Sequence, residues 1–266
     1  MANQDVTILI PNYKTLELTK LCLRLLRKHT DPALAKVIVI DNDSKDASLD
    51  YLRQLTWIEL IERKAIPGES AVVSHSRALD LGLTRVTTPY VLSIHTDTLM
   101  KNNQWLPFLL SQIKQDKNIA GVGSWKLEVK PLWSKFLKEL ERKFQQIFFG
   151  TDKVGYSTLP NHHYLRSHCA LYRMDLIKNY NLSFCDTDEV AGKSLHKKLV
   201  AQNFEMRFLA SSVLLNYMEH VNHATTVLNP ELSRHKKSVI KGLRRVQNSL
   251  KKFNAEEILK DVALDN

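Results

Sequence analysis

The sequence predicts an α/β fold: one domain on a mainly parallel central sheet flanked by helices, carrying a basic helical extension at its C-terminal end. Three observations predict it. Short apolar runs alternate with helical repeats along residues 1–125, the pattern of right-handed βαβ units. Polar clusters stand directly behind three of those runs. Eight Lys and Arg, with no acid among them, fall within residues 234–252. We place the domain at 1–230 and the extension at 231–266.

Residues 6–11 (VTILIP) are nearly all apolar and close on a proline, which fits a buried parallel strand. Leu16, Leu18, Cys22, Leu25 and Leu26 follow at broadly helical spacing over 15–28, with Thr15 as the expected N-cap. The run KVIVI at 36–40 repeats the strand pattern and stops at Asp41-Asn42-Asp43-Ser44, a cluster of turn formers. A helix over 47–55, a strand over 57–62, a helix over 70–86 and a strand over 90–94 complete this series. Residues 131–149 then place Trp133, Phe136, Leu137, Leu140, Phe144, Ile147 and Phe148 on one helical stripe among basic residues. Such a stripe fits the sheet, a second copy of the chain in a homodimer, or a membrane surface. A loop over 150–164, a strand over 166–172, helices over 174–179 and 188–202, and strands over 204–209 and 213–219 finish the domain. Segment 232–252 is helical by composition, and Val239, Ile240, Leu243, Val246 and Leu250 recur on one face of it. That face either packs on the domain or contacts a membrane surface, and both readings stay open.

The 266 residues are 44% hydrophobic and 25% charged, which excludes a disordered or collagen-like chain. Cys22, Cys169 and Cys185 are odd in number and far apart, with no C-x-x-C spacing. Neither a disulfide framework nor a zinc site is expected. The N-terminus has no basic n-region, and no apolar run approaches the roughly 18–20 residues that span a bilayer. A cytoplasmic setting follows, with a contact at the inner face of a membrane through 234–252 as the alternative. The formal net charge of +10 belongs mostly to that segment, so the rest of the chain is nearly neutral. No aromatic platform or base-reading motif accompanies the basic residues, so a nucleic-acid partner is not expected.

Asn12-Tyr13, Asp41-Asn42-Asp43 and His95-Thr96-Asp97 each follow the carboxyl end of an expected strand. Open α/β sheets bind ligands beyond those ends. With VTILIPNYKTLELTKLCLRLL, VIVIDNDSKD, TPYVLSIHTDTLM and SHCALYRMDLI in this order over residues 5–225, the chain resembles the family 2 glycosyltransferases of the A-type fold. The resemblance implies a nucleotide-diphospho-sugar transferase domain. It implies inverting transfer from a UDP- or dTDP-sugar to a hydroxyl of a glycan or lipid-linked saccharide. A divalent cation, Mn²⁺ or Mg²⁺, would assist departure of the nucleoside diphosphate.

The same resemblance assigns residues. Asp41 would accept the imide N–H of the base, and Pro11, Asn12 and Tyr13 would wall base and ribose. His75 and Arg77 lie on the helix that approaches the pyrophosphate. The family's metal-holding D-x-D falls on His95-Thr96-Asp97, which leaves Asp97 as the metal carboxylate and gives His95 and Thr96 to the donor. His223, ahead of His220, matches a histidine that reaches the metal or diphosphate. Asp188, then Glu189, matches the base that takes the acceptor proton. Each residue also has a plainer reading: Asp41 as a turn cap, Arg77 on a solvated helix face, His95 as a buried structural histidine, 186–189 as helix caps. His162 and His163 read as solvated loop.

A histidine at the first D-x-D position keeps a second class open, a degenerate transferase that binds sugar nucleotide or serves as a non-catalytic partner subunit. A nucleotidyltransferase would want a Gly-rich loop where PNYKT stands. A dinucleotide-binding enzyme would want a third glycine after Gly121 and Gly123.

Overall fold

A computed structural model describes residues 4–125, 127, 163–186, 189–221, 227 and 236–266. Strands β1 (Val6–Asn12), β2 (Ala35–Asn42), β3 (Glu59–Arg63) and β4 (Tyr90–Ile94) are joined by helices α1 (Leu16–His29), α2 (Ala47–Leu52) and α3 (Ala71–Leu83). β5 (Thr98–Met100), α4 (Trp105–Ile113) and β6 (Ile119–Gly123) follow. Then come β7 (Cys169–Arg173), α5 (Met174–Asn179), α6 (Lys193–Ala201), β8 (Glu205–Phe208), the short α7 (Ser211–Leu214) and β9 (Met218–His220). The chain closes on α8 (Lys236–Lys252), α9 (Ala255–Lys260) and a 3₁₀ turn, Val262–Asp265.

The main sheet has seven strands in the order β3-β2-β1-β4-β7-β6-β8. Only β7 runs antiparallel to its neighbours. Period-two alternation explains its burial on both faces. Ile8, Ile10, Val37, Val39 and Leu92 pack with Leu23, Leu26, Trp105 and Leu109 on one side. Leu9, Ile38, Ile40 and Val91 pack with Ala78 and Leu79 of α3 on the other. The chain builds β1, β2 and β3 outward and then returns to lay β4 on the free side of β1. Strand order therefore reverses between β1 and β4, which opens a crevice at their carboxyl ends.

A second, two-stranded sheet stands beyond that crevice. β5 leaves the turn after β4 and pairs antiparallel with β9, with Thr98 opposite His220. The Val221 N–H donates to Asp97 O at 2.8 Å, extending the pairing by one step.

Several expectations need correction. The 213–219 strand begins as the helical turn α7, because Leu214 N–H and Leu215 N–H reach back to Ala210 O and Ser211 O while Leu214 enters the core. Only 218–220 is strand, and it pairs outside the main sheet. The helix expected from 188 starts at Lys193, behind Gly192 at φ 76°, a backbone that favours glycine. Its N-terminus carries no side-chain cap. Thr15 does stand at the N-cap of α1, yet at φ 62° its hydroxyl turns to Lys14 O instead of capping. Helix α2 ends at Leu52, short of 55, and α4 and β6 carried no expectation. The amphipathic stripe at 131–149 lies outside the described residues.

The extension packs on the domain. Val246, Ala255 and Ile258 share a cluster with Leu18, Leu21, Cys22 and Leu25 of α1, and with Leu99 and Val221 of the small sheet. Arg24 of α1, only 4% exposed, makes a two-pronged contact with Asp265 and donates to the carbonyls of Ile258 and Leu259. The apolar face of α8 is thus occupied at Val246, while Leu243 and Arg244 stay exposed. Among the described residues no helix is long and apolar enough to cross a membrane.

Candidate active site

A cavity of about 680 Å³ fills the crevice between β1 and β4. Its near wall comes from the ends of β1 and β2: Pro11, Asn12, Tyr13, Asn42 and Asp43, with Glu69, Ser74 and His75 from the start of α3. Its floor is His95, Thr96, Asp97 and His220. The far wall is the lead-in to β7, with Tyr164, Arg166, Ser167 and His168, and Val190 at the rim.

The near wall is rigid because its polar groups bond to one another. Asn12 donates to Asp41 Oδ1 (2.8 Å) and accepts from Thr19 Oγ1 (2.7 Å). Asp41 also takes the Ser44 hydroxyl and its N–H. With both oxygens engaged and 1% exposure, Asp41 stands behind the wall and does not line the cavity. Asn42 and Asp43 line it instead. Arg63 grips Glu69 with two bonds of 2.6 and 2.7 Å and donates to Asn42 Oδ1. Arg77 also reaches Glu69, at 2.9 Å, but is 46% exposed and is not part of the lining.

The floor gathers four histidines around one carboxylate. His220 Nε2 lies 3.0 Å and His95 Nδ1 3.7 Å from Asp97 Oδ1. His168 stacks on His220 at 4.5 Å between centroids, and His75 meets His95 edge-on at 5.0 Å. Ser167 Oγ bridges His95 and His75 at 2.9 and 3.2 Å, while Ser124 Oγ holds His168 at 2.8 Å. Burial is the main cause of the shifts at three of them: His75 falls to about 4, His168 to about 3, and His95 lies well below its ordinary value. These three imidazoles are neutral at neutral pH, the form that ligates metals.

His95, Asp97 and His220 offer three ligand atoms, all within 4.8 Å of one another. His220 Nδ1 is buried without a hydrogen-bond partner among the described residues. Two imidazoles and one carboxylate fit a divalent cation, and they suit Mn²⁺ and later transition metals better than Mg²⁺, which prefers oxygen.

Of the residues singled out in the sequence, the cavity collects Pro11, Asn12, Tyr13, His75, His95, Thr96, Asp97 and His220, the histidine ranked behind His223. Asp188 and His223 lie outside the described residues. Glu189 is described but does not line the cavity; Lys193 (2.9 Å) and Lys197 (3.0 Å) hold it and lower its pKa. Asp186 turns to Ser194 and Lys198. His163 packs edge-on against Trp125 rather than standing free in solvent. Ser167 and His168, which sequence reasoning missed, were readable only as the polar pair that opens SHCALY.

A family model described as Glycosyl transferase family 2 matches residues 7–181. No curated protein matches the chain. The mannosyltransferase PcManGT from Pyrobaculum calidifontis, in complex with GDP-Man and Mn²⁺, superposes with a TM-score of 0.53 at 16% identity, covering 77% of this chain and 54% of that one. This chain therefore spans about half the length of that enzyme. TarS 1-349 from S. aureus gives 0.54 at 14% identity over 94% of this chain and 72% of that one. Its complex with UDP gives 0.54 at 14% identity over 93% and 72%. At such identities the likeness shows the fold.

Proposed function

The chain belongs to glycosyl transferase family 2, and from that premise we propose that it moves a sugar from a UDP- or dTDP-sugar to a hydroxyl acceptor with inversion. The observation that carries this reading is the His95–Asp97–His220 group at the strand-order reversal. Such a group stands where a diphosphate laid across the crevice would pass. Pro11, Asn12 and Tyr13 wall the base and ribose, joined by Asn42 and Asp43. Asp41 serves that wall through its bonds to Asn12 and Ser44. His95, Asp97 and His220 would hold the cation, which when bound neutralises charge on the departing diphosphate. Relatives in complex with GDP-Man and Mn²⁺, and with UDP, support the substrate class.

In the transfer, the acceptor oxygen bonds to the anomeric carbon as the bond to the diphosphate oxygen breaks. The acceptor proton passes to a carboxylate on the opposite face, Asp188 ahead of Glu189. The lysines around Glu189 make it the weaker base. Asp188→Asn should stop turnover while Glu189→Gln leaves most of it, read as donor hydrolysis and transfer. The reverse result would move the base to Glu189.

One observation favours a second reading, binding without turnover: the two described carboxylates flanking the proposed base position, Asp186 and Glu189, are both held by lysines. Isothermal titration with UDP and Mn²⁺ beside a donor-hydrolysis screen separates the two. Tight binding with no hydrolysis of any donor would favour the non-catalytic protein.

A further inference from the structure

The far wall of the cavity holds a cation that the transfer reading leaves unused. Arg166 precedes β7, and its backbone N–H is fixed on Ser124 O at 3.0 Å. Its guanidinium lies 4.6 Å from the centre of the Trp125 ring and 5.9 Å from that of Tyr164. Arg53, Arg63 and Arg77 each reach a carboxylate. Arg166 has no such partner among the described residues, and its Nε is buried without a hydrogen bond.

A guanidinium stacked on an aromatic ring keeps its N–H edge free in the plane of the group. That edge matches the paired oxygens of a phosphate or carboxylate. Position then decides which anion. The near wall belongs to β1 and β2 and the cation group to the ends of β4 and β9, whereas Arg166 belongs to β7, on the side of β4 away from β1. β2 and β7 stand three strand spacings apart, about 14 Å. A nucleotide held on the near wall, with its diphosphate over Asp97, would present its sugar towards β7. Arg166 therefore faces the group that receives the sugar.

We propose that Arg166, braced by Trp125 and Tyr164, binds an anionic group, phosphate or carboxylate, on the acceptor. The proposal rests on the transferase reading above. It makes the acceptor a phosphorylated or acidic saccharide or polyol rather than a neutral one.

The test is isothermal titration of glycerol 3-phosphate and, separately, glucuronate into protein saturated with UDP and Mn²⁺, which fills the donor site. Wild type is compared with Arg166→Gln and Arg166→Lys. At least one probe should bind wild type, with affinity at least tenfold weaker in Arg166→Gln and intermediate in Arg166→Lys. The better probe tells phosphate from carboxylate. UDP affinity should stay unchanged and the protein should remain folded, since the Arg166 side chain makes no hydrogen bond among the described residues and gives up only its contacts with the Trp125 and Tyr164 rings. The proposal is overturned if neither probe binds wild type or if Arg166→Gln binds them equally. It is also overturned if Arg166→Gln weakens UDP instead, which would give Arg166 to the donor. If UDP does not bind wild type, the nucleotide reading fails separately, and the same titrations without nucleotide decide the role of Arg166.

Discussion

Asp97 is 4% exposed and faces His95 and His220, so the site depends on where one carboxylate points. Asp97→Asn should abolish Mn²⁺-dependent donor hydrolysis while leaving the far-UV circular dichroism unchanged. Ser167 touches no substrate in this account; it orients His95 and His75 through its hydroxyl. Ser167→Ala should therefore weaken Mn²⁺ binding about tenfold, the usual loss for an outer-sphere partner, and equal affinity by titration would contradict that. The sequence exposes Asp97 because His95-Thr96-Asp97 follows a clean strand signal. It does not expose the histidine group, whose members at 75, 95, 168 and 220 come from four separate segments with no spacing that unites them. Asp41 was legible as a carboxylate behind a buried strand. Its hydrogen bonds with Asn12 and Ser44 were not, because only the fold brings those groups to its oxygens.

Among elements, the β5–β9 pair matters most for its size. Each strand has three residues, too few for a period to register, yet together they bring Asp97 beside His220. The C-terminal helices brace that pair: Glu219 of β9 accepts from Ser249 at 2.9 Å and pairs with Lys252 and with Lys101. Helix α1 carries the other half of the brace through Arg24 and Asp265. Asp265→Asn should lower stability by about 2 kcal/mol, the scale of a charge-assisted hydrogen bond in a part-buried site. That corresponds to a fall of roughly 4–8 °C in melting temperature for a domain of this size. The Arg24 contact depresses the Asp265 pKa below its usual value. Its contribution is therefore full above the unfolded value, about 3.9, and is lost as pH falls through the lower folded value. Thermal melts should show the gap between wild type and Asp265→Asn closing below about pH 4. A gap that persists unchanged to pH 2 would contradict it. The parallel strands and their helices were legible because short, mostly apolar runs alternate with helical repeats along the first half of the chain. The start of α6 was not, since Gly192 rather than an acidic cap sets it.

For the whole molecule, the basic charge is concentrated on residues 234–252, whose eight Lys and Arg meet no acid within the segment, and the helix there turns its apolar face inward at Val246 while Arg244, Lys251 and Lys252 remain exposed. Any membrane contact through this helix would then be electrostatic rather than insertive. Pelleting with anionic vesicles should be lost by about 0.5 M salt, where the screening length is only a few ångströms. Neutral vesicles should pellet none of the protein at any salt; binding to them would mean that α8 leaves its seat on α1. In the proposed function, nucleotide recognition depends on the histidine–carboxylate floor. Titration of UDP in the presence of Mn²⁺ into wild type and Asp97→Asn tests it most directly. Saturable binding in wild type that EDTA removes and Asp97→Asn lacks is the predicted result; no binding, or equal binding in both proteins and in EDTA, would contradict it.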